Sequence, residues 1–284
     1  MINLGMRNFR LYVREKGAVF FSMLGVFIII GLYILFLGDG MKEGAGDLPG
    51  KEGLIDTWVM AGVIAVSSIT TSMGACGVII EDRVKKRYKD FMSAPLRRSQ
   101  IVGGYVYSAC LVGGLMCTLT FIAVEIYLVV NGGALPSVLT VAKVLGIIAL
   151  AVTSSASIVL FISSLLKTNG AFNNVSILLG TLIGFITGIY LPIGSLGEGV
   201  QWIIKCFPVS HAGALLRQVL MEDQLNKAFT GMPVEAVDQF KEEMGIVFRF
   251  GDTTAEPEIH VVVLILTTVI FLTMGVLNMS RKEK

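Results

Sequence analysis

Three ionisable side chains stand in or beside long apolar stretches of the sequence: Glu125, His211 and His260. An acid held at mid-bilayer is the usual device of ion-coupled transport, because an unpaired charge there is too costly to keep without a task. Glu125 lies toward the outer end of its run, six residues before Asn131. Its side chain can reach the interface, so a structural or snorkelling role outweighs a proton or substrate role. His260, at the start of the last apolar run, reads as an interfacial residue. His211 reads as structural, with a position facing a substrate exit path as the alternative. Cys110 and Cys117 are seven residues apart on one helix face, but no further ligands accompany them. With Cys76 and Cys206 they read as small packing residues. The nearest approach to a phosphate-binding loop is Gly50-Lys51, where Ala45 occupies the first glycine position and Glu52 the hydroxyl position. His-Glu-x-x-His, zinc-spaced cysteine pairs and Gly-x-Ser-x-Gly are all missing from the sequence. The expectation is a chain with no catalytic residue, no metal site and no nucleic-acid partner.

The elements that position these groups follow from the solvent the chain requires. Of the 284 residues, 54% are hydrophobic and 15% charged, and the mean hydropathy is +0.76, which excludes an ordinary water-soluble domain. A bilayer core about 30 Å thick takes roughly 20 apolar residues per helix. Six runs qualify, at 17–37, 57–80, 101–130, 139–166, 173–193 and 259–280. A cleaved signal peptide is the alternative for the first, but no small-x-small cleavage site follows it. Lys and Arg crowd one side: four before the first run, seven between Glu81 and Arg98, then Lys167, Arg281, Lys282 and Lys284. The longest connection on the other side, Glu198 to Glu258, has five against ten acids. The positive-inside rule therefore puts both termini in the cytoplasm of a multi-pass plasma-membrane protein.

The connections carry patterns of their own. Arg7, Arg10 and Arg14 form a basic stripe beside Met6, Phe9 and Val13, which predicts a helix lying in the cytoplasmic lipid interface, with an ordinary positive-inside flank as the alternative. Within residues 81–95, Val84, Tyr88, Phe91 and Met92 recur at helical spacing among charges, and Pro95 ends the pattern. This predicts a short amphipathic cytoplasmic helix presented to a soluble partner, with a solvated basic loop as the alternative. Gly180, Gly184 and Gly188 repeat a small-xxx-small spacing and predict a helix-packing face. Residues 198–212, with Trp202 and Pro208, are apolar but too short to span and predict a re-entrant segment. Residues 221–258 turn polar and acidic and predict an extracytoplasmic loop, partly helical. The expected fold is an all-α integral membrane protein, a single transmembrane domain over residues 1–284.

This arrangement resembles the ABC-2 type permeases. Glu81-Asp82, continuing through Lys89-Asp90-Phe91-Met92-Ser93-Ala94-Pro95 to Arg97-Arg98 and Gly103-Gly104-Tyr105, is similar to that family's coupling-helix segment. Phe207-Pro208-Val209-Ser210-His211-Ala212 is similar to its proline-centred turn after the re-entrant helices, with Arg217 and Gln218 following. Lys86-Arg87 departs from a Gly-Thr pair found in many members. The resemblance implies a homodimer or heterodimer of permease subunits in the bilayer, each contacting a separate ATP-binding subunit that holds ATP and Mg. Glu81, Asp82, Arg83, Arg87, Asp90, Phe91 and Pro95 would form the contact. It also implies a substrate path between the permeases, lined by the first, second and fifth spans. That makes Gly180, Gly184, Gly188 and the hydroxyls Ser67, Ser68, Thr70, Thr71 and Ser72 pathway candidates, with helix packing as the alternative. The function implied is export of an amphipathic or hydrophobic molecule such as a drug, an antimicrobial peptide or a lipid-like compound. The rivals are polysaccharide export within the family, an ion-coupled secondary transporter, and a membrane immunity or sensor protein.

Overall fold

The computed structural model describes residues 1–44, 46, 48–87, 98–251 and 253–281. Among them, six helices are long and apolar enough to cross a membrane: Val19–Gly44, Lys51–Val84, Ser99–Val130, Val138–Leu165, Asn169–Ile186 and Pro257–Met279. In hydrocarbon the backbone must satisfy its own polar groups, which selects helix for runs of this length.

The chain opens with α1 (Ile2–Arg14) and continues through α2 (Lys16–Leu32), a π-helical turn (Tyr33–Leu37) and α3 (Gly38–Gly44), which together carry the first span. Spans two to five are α4 (Lys51–Val84), α5 (Arg98–Val130), α6 (Val138–Leu165) and α7 (Asn169–Ile186). A hairpin of α8 (Glu198–Cys206) and α9 (Pro208–Leu220) follows. Next comes a cap of α10 (Glu222–Ala228), α11 (Val234–Glu243) and the antiparallel strands β1 (Arg249–Phe250) and β2 (Thr253–Thr254). The last span is α12 (Pro257–Arg281).

The second span is the axis of the bundle. Its apolar window is 78% buried, against 17% for the first and fifth spans, and it packs on α5, α6, α7, α9 and α2. Small and hydroxylated residues permit this close packing. Ser67, Ser68, Thr71 and Ser72 return their hydroxyls to the helix's own carbonyls, while Ser68 also meets Ser155 of α6 at 3.0 Å. The α12 helix runs along α6, where Asn278 Nδ2 donates to Ser164 Oγ at 2.7 Å. Near the start of α5, α1 crosses so closely that a Cβ on Gly5 would lie 2.9 Å from Gly104 O. The N-terminal helix and the end of α12 thus sit at one end of the bundle, called here the basal end, and α8 to α11 sit at the other.

Gly5→Val is expected to lift α1 off α5, because a Cβ would also stand 2.6 Å from Tyr107 Cδ1 and a backbone carbonyl cannot retreat; overpacking of this kind costs about 1–3 kcal/mol. Trypsin cleavage after Arg10 and Arg14 should accelerate several-fold relative to the parent chain, and an unchanged rate would contradict the crossing.

Several sequence expectations are corrected at their edges. The first span does not stop at 37 but continues to Gly44. The π-helical turn carries it past Asp39, and Lys42 finds a buried partner in Asp56. The fifth helix begins at Asn169, where Thr168 Oγ1 caps Ala171 N, and it ends at Ile186 rather than 193. Gly188, at φ +67°, stops it: Gly188 N–H reaches Phe185 O and Ile189 N–H reaches Gly184 O. This paired closure of the last carbonyls is a Schellman end, which a glycine in the left-handed region makes possible. Gly188 is therefore a helix terminator and not part of a packing stripe. Residues 198–212, expected as a re-entrant segment, belong to a helical hairpin that reaches Leu220.

Candidate functional site

At the basal end the charges converge on Asp82, the last acid of α4 and only 1% exposed. It accepts the Tyr105 hydroxyl of α5 at 2.9 Å and faces Arg7 of α1 at 3.5 Å and Arg87 at 3.8 Å. Arg7 also donates to Asn8 Oδ1 at 2.8 Å. The neighbouring Arg83 donates to Ser163 O and Leu166 O, at 3.0 and 3.2 Å, at the C-terminus of α6. Helix C-termini present unpaired carbonyls and a partial negative charge, so a guanidinium there is doubly favoured. One turn of α4 thus ties together the N-terminal helix, the third span and the fourth. Glu81 is different: it is partly exposed and pairs with Lys85 one turn on. The helix then ends in a turn where Lys86 takes φ 60°, a left-handed value that glycine adopts freely and a lysine rarely does.

Two arginines of the expected interfacial stripe, Arg10 and Arg14, are exposed, whereas Arg7 is half engaged with Asp82. The buried face of α1 is Gly5, Asn8 and Tyr12, with Leu4 and Phe9 partly buried against the core. Close crossing of α5 needs a small residue at Gly5, and Val13, at 41% exposure, faces outward. Tyr12 Oη meets Ser22 Oγ at 2.5 Å and fixes the elbow between α1 and α2. Asp90, Phe91 and Pro95 lie outside the described residues.

The cap end is organised around Trp58 of α4. Its indole N–H donates to Met244 O at 2.6 Å, just past the end of α11, and the Arg217 guanidinium of α9 stacks over its ring at 4.4 Å. Arg217 is 1% exposed, and it donates to Thr187 O and Gly188 O at 3.2 Å each and to Trp58 O at 3.4 Å. Those first two carbonyls belong to the terminated end of α7, so the negative end of a helix and an aromatic face stand in for a carboxylate. Burial draws the Arg217 pKa down to about 9, which leaves it charged at neutral pH. Gly62 makes the space: a Cβ there would come within 2.5 Å of Ile189 Cγ1 and 3.1 Å of Arg217 Nη2.

Close by, Asp56 is 3% exposed and accepts Tyr33 Oη at 2.5 Å and Lys42 Nζ at 2.9 Å. These contacts hold the π-helical turn of the first span against the second; such turns are frequent at functional sites. The sequence placed Asp56 outside the second span and gave no role to Tyr33, Trp58 or Gly62; an isolated acid and a tryptophan near a run's edge look like ordinary interface residues.

His260 is not interfacial. It is fully buried against His211, with Nδ1 atoms 2.7 Å apart. His211 Nε2 lies 2.8 Å from Lys205 O and must donate, so between neutral rings His260 Nδ1–H donates to His211 Nδ1. Burial lowers the His211 pKa, partly opposed by the Lys205 carbonyl. The pair bolts α9 to the last span, and His211 faces that bolt and not an exit path. Pro208 occupies the first turn of α9, where its missing N–H costs nothing.

Among the pathway candidates, Ser68 and Thr71 are at most 1% exposed inside a single subunit and serve helix packing. Gly184 receives the Tyr190 ring and Gly188 ends α7. Of the three glycines Gly180 is the open one, and with Thr70, a second candidate, it lines a groove of about 370 Å³ between the second and fifth spans, beside Asn173 and Ser176. Glu125 is partly exposed on α5.

Six apolar spans among the described residues, a basal charge cluster tied to the N-terminal helix and a helical hairpin define a multi-pass membrane protein. Over residues 2–221 the chain matches the ABC-2 type transporter family and belongs to it, as the membrane permease of an ABC transporter. That membership goes with association with an ABC ATP-binding subunit. No curated protein matches the chain.

Proposed function

We propose that this chain is the permease subunit of an ATP-driven exporter, working as a homodimer or heterodimer in the plasma membrane with both termini cytoplasmic. The partner subunit binds ATP and Mg, and the cargo is an amphipathic or hydrophobic molecule. The observation that carries the reading is the Asp82 cluster, set at the head of the segment 81–95 where the family resemblance puts the ATPase contact. A push delivered there reaches α1, α5 and α6 at once, because one turn of α4 is bonded to all three. Differential contact with the nucleotide-bound and nucleotide-free partner would then shift the permease between two states. Support for a path beside the second and fifth spans comes from the Gly180 groove and from the exposed faces of spans one and five, including Phe27, Leu35, Ile177 and Phe185. In a dimer those faces meet the second subunit or lipid.

The test is co-purification from mild detergent, with vanadate-sensitive ATP hydrolysis as readout. Reversing charge at Asp82 would confuse contact with folding, since that group is buried; Val84, 48% exposed, is the better probe. The parent chain is expected to bring down ATPase activity, and Val84→Glu to lose about tenfold of it, the effect of burying an unpaired charge in an interface. A folded parent chain that brings down no ATPase overturns the reading.

A further inference from the structure

A cavity of about 740 Å³ opens at the cap end, inside one subunit, where three irregular pieces of backbone meet. The π-helical turn contributes Phe36 and Leu37, and α3 contributes Gly40 and Met41. The stretch after the terminated α7 contributes Tyr190 to Pro192, and the end of α11 contributes Phe240 and Glu243, with Ile55 and Trp58 as the floor. This size is that of a small-molecule site, which runs from roughly 300 to 1,000 Å³. Its wall is apolar and aromatic, and Glu243 is the single charged side chain among the described residues that line it.

Among the described residues that line the cavity, the charge is of one sign. Glu243 is exposed and accepts one hydrogen bond, from Gln239 Nε2 at 3.0 Å, so its carboxylate keeps room for another donor. It is also the last residue of α11, whose negative end therefore faces the cavity. Of the bases close by, Lys42 pairs with Asp56, and Arg217, stacked behind the Trp58 floor, is held by the carbonyls of Thr187, Gly188 and Trp58. The lining also includes Phe36, Tyr190 and Phe240, and aromatic rings attract cations over their faces. The floor is rigid, because Trp58 is pinned by Met244 O on one side and Arg217 on the other.

We propose that this cavity is a binding site for an amphipathic cation, with the apolar body between the first span and the segment after α7 and the positive group at Glu243. The proposal rests on the permease reading for its purpose, as a cargo site near the exit, but not for its chemistry. It narrows the cargo from amphipathic molecules in general to those bearing positive charge.

The experiment uses the purified full chain in phosphatidylcholine nanodiscs, with empty nanodiscs as the partition reference. The probes are a dodecyl-ammonium fluorophore and a dodecyl-sulfonate fluorophore of matched length. Saturable binding of the ammonium probe, about tenfold tighter than the sulfonate, is expected from one charge-assisted contact. Glu243→Lys should abolish that preference. Gly40→Trp should block both probes, since a Cβ at Gly40 meets nothing within 4 Å and a larger side chain is free to enter the cavity. Equal affinity for the two probes, or a preference untouched by Glu243→Lys, overturns the proposal. Tighter sulfonate binding would assign the cavity to anionic lipid instead. Because neither probe requires ATP, a chain that binds the ammonium probe yet never co-purifies an ATPase would keep the site and sink the exporter reading.

Discussion

Arg217→Met is expected to cause the largest loss of thermal stability of any single change at the cap end, by about 3 kcal/mol, and to abolish transport. Arg217 is held by Thr187 O, Gly188 O, Trp58 O and the Trp58 ring, with no part of it in water. Hydrogen bonds to a charged group contribute about 1.5–3 kcal/mol each, and two of these acceptors are helix-end carbonyls left open by the stop at Gly188. Desolvation of the guanidinium opposes this gain, so the net is smaller than the sum. Arg217→Lys keeps the charge but loses the planar fork and the stacking, and should fall between the two. Thermal unfolding in nanodiscs followed by tryptophan fluorescence measures the series. Should Arg217→Met match the parent chain, desolvation cancels the bonds and the residue is not what joins the hairpin to α7.

The second large effect is at Asp82. Asp82→Ala removes the acceptor of the Tyr105 hydroxyl and the buried anion facing Arg7 and Arg87, at a cost of about 3 kcal/mol. Asp82→Asn retains an oxygen for Tyr105 and loses the ion pairs alone. The two arginine side chains are 36% and 46% exposed, and pairs so placed contribute about 1 kcal/mol or less. The expected pattern is therefore a severe alanine and a mild asparagine. Both should be read by trypsin release of α1 and by whether bound ATPase still drives transport. Equal severity of the two would mean that charge, not the Tyr105 bond, holds the junction.

How far the sequence reached depends on the kind of signal. The six spans were legible because a run of twenty uncharged residues has few alternatives, and the basal charges because Lys and Arg cluster in short connections. Gly188 shows the limit. A glycine four residues after another reads equally as a packing notch or as a stop, and only its φ of +67° separates them. His211 and His260 are 49 residues apart, so nothing local announces that their rings meet. Asp56 looked like a residue left at the water's edge because a lone acid beside an apolar run is cheapest there; Lys42 and Tyr33 make burial tolerable instead.

The sequence alone determined the solvent, the number of crossings and the family resemblance, since each is a sum over many residues that no single contact can reverse. The tertiary structure decided which polar groups are locks and which line open space. Ser68 and Thr71 are packed away, while Gly180 and Glu243 are open to grooves. A side chain's type sets what it can bond, but in a bundle this tight its role is set by which helix arrives opposite it. That is fixed by the crossings at Gly5, Gly62 and Trp58, not by neighbours in sequence.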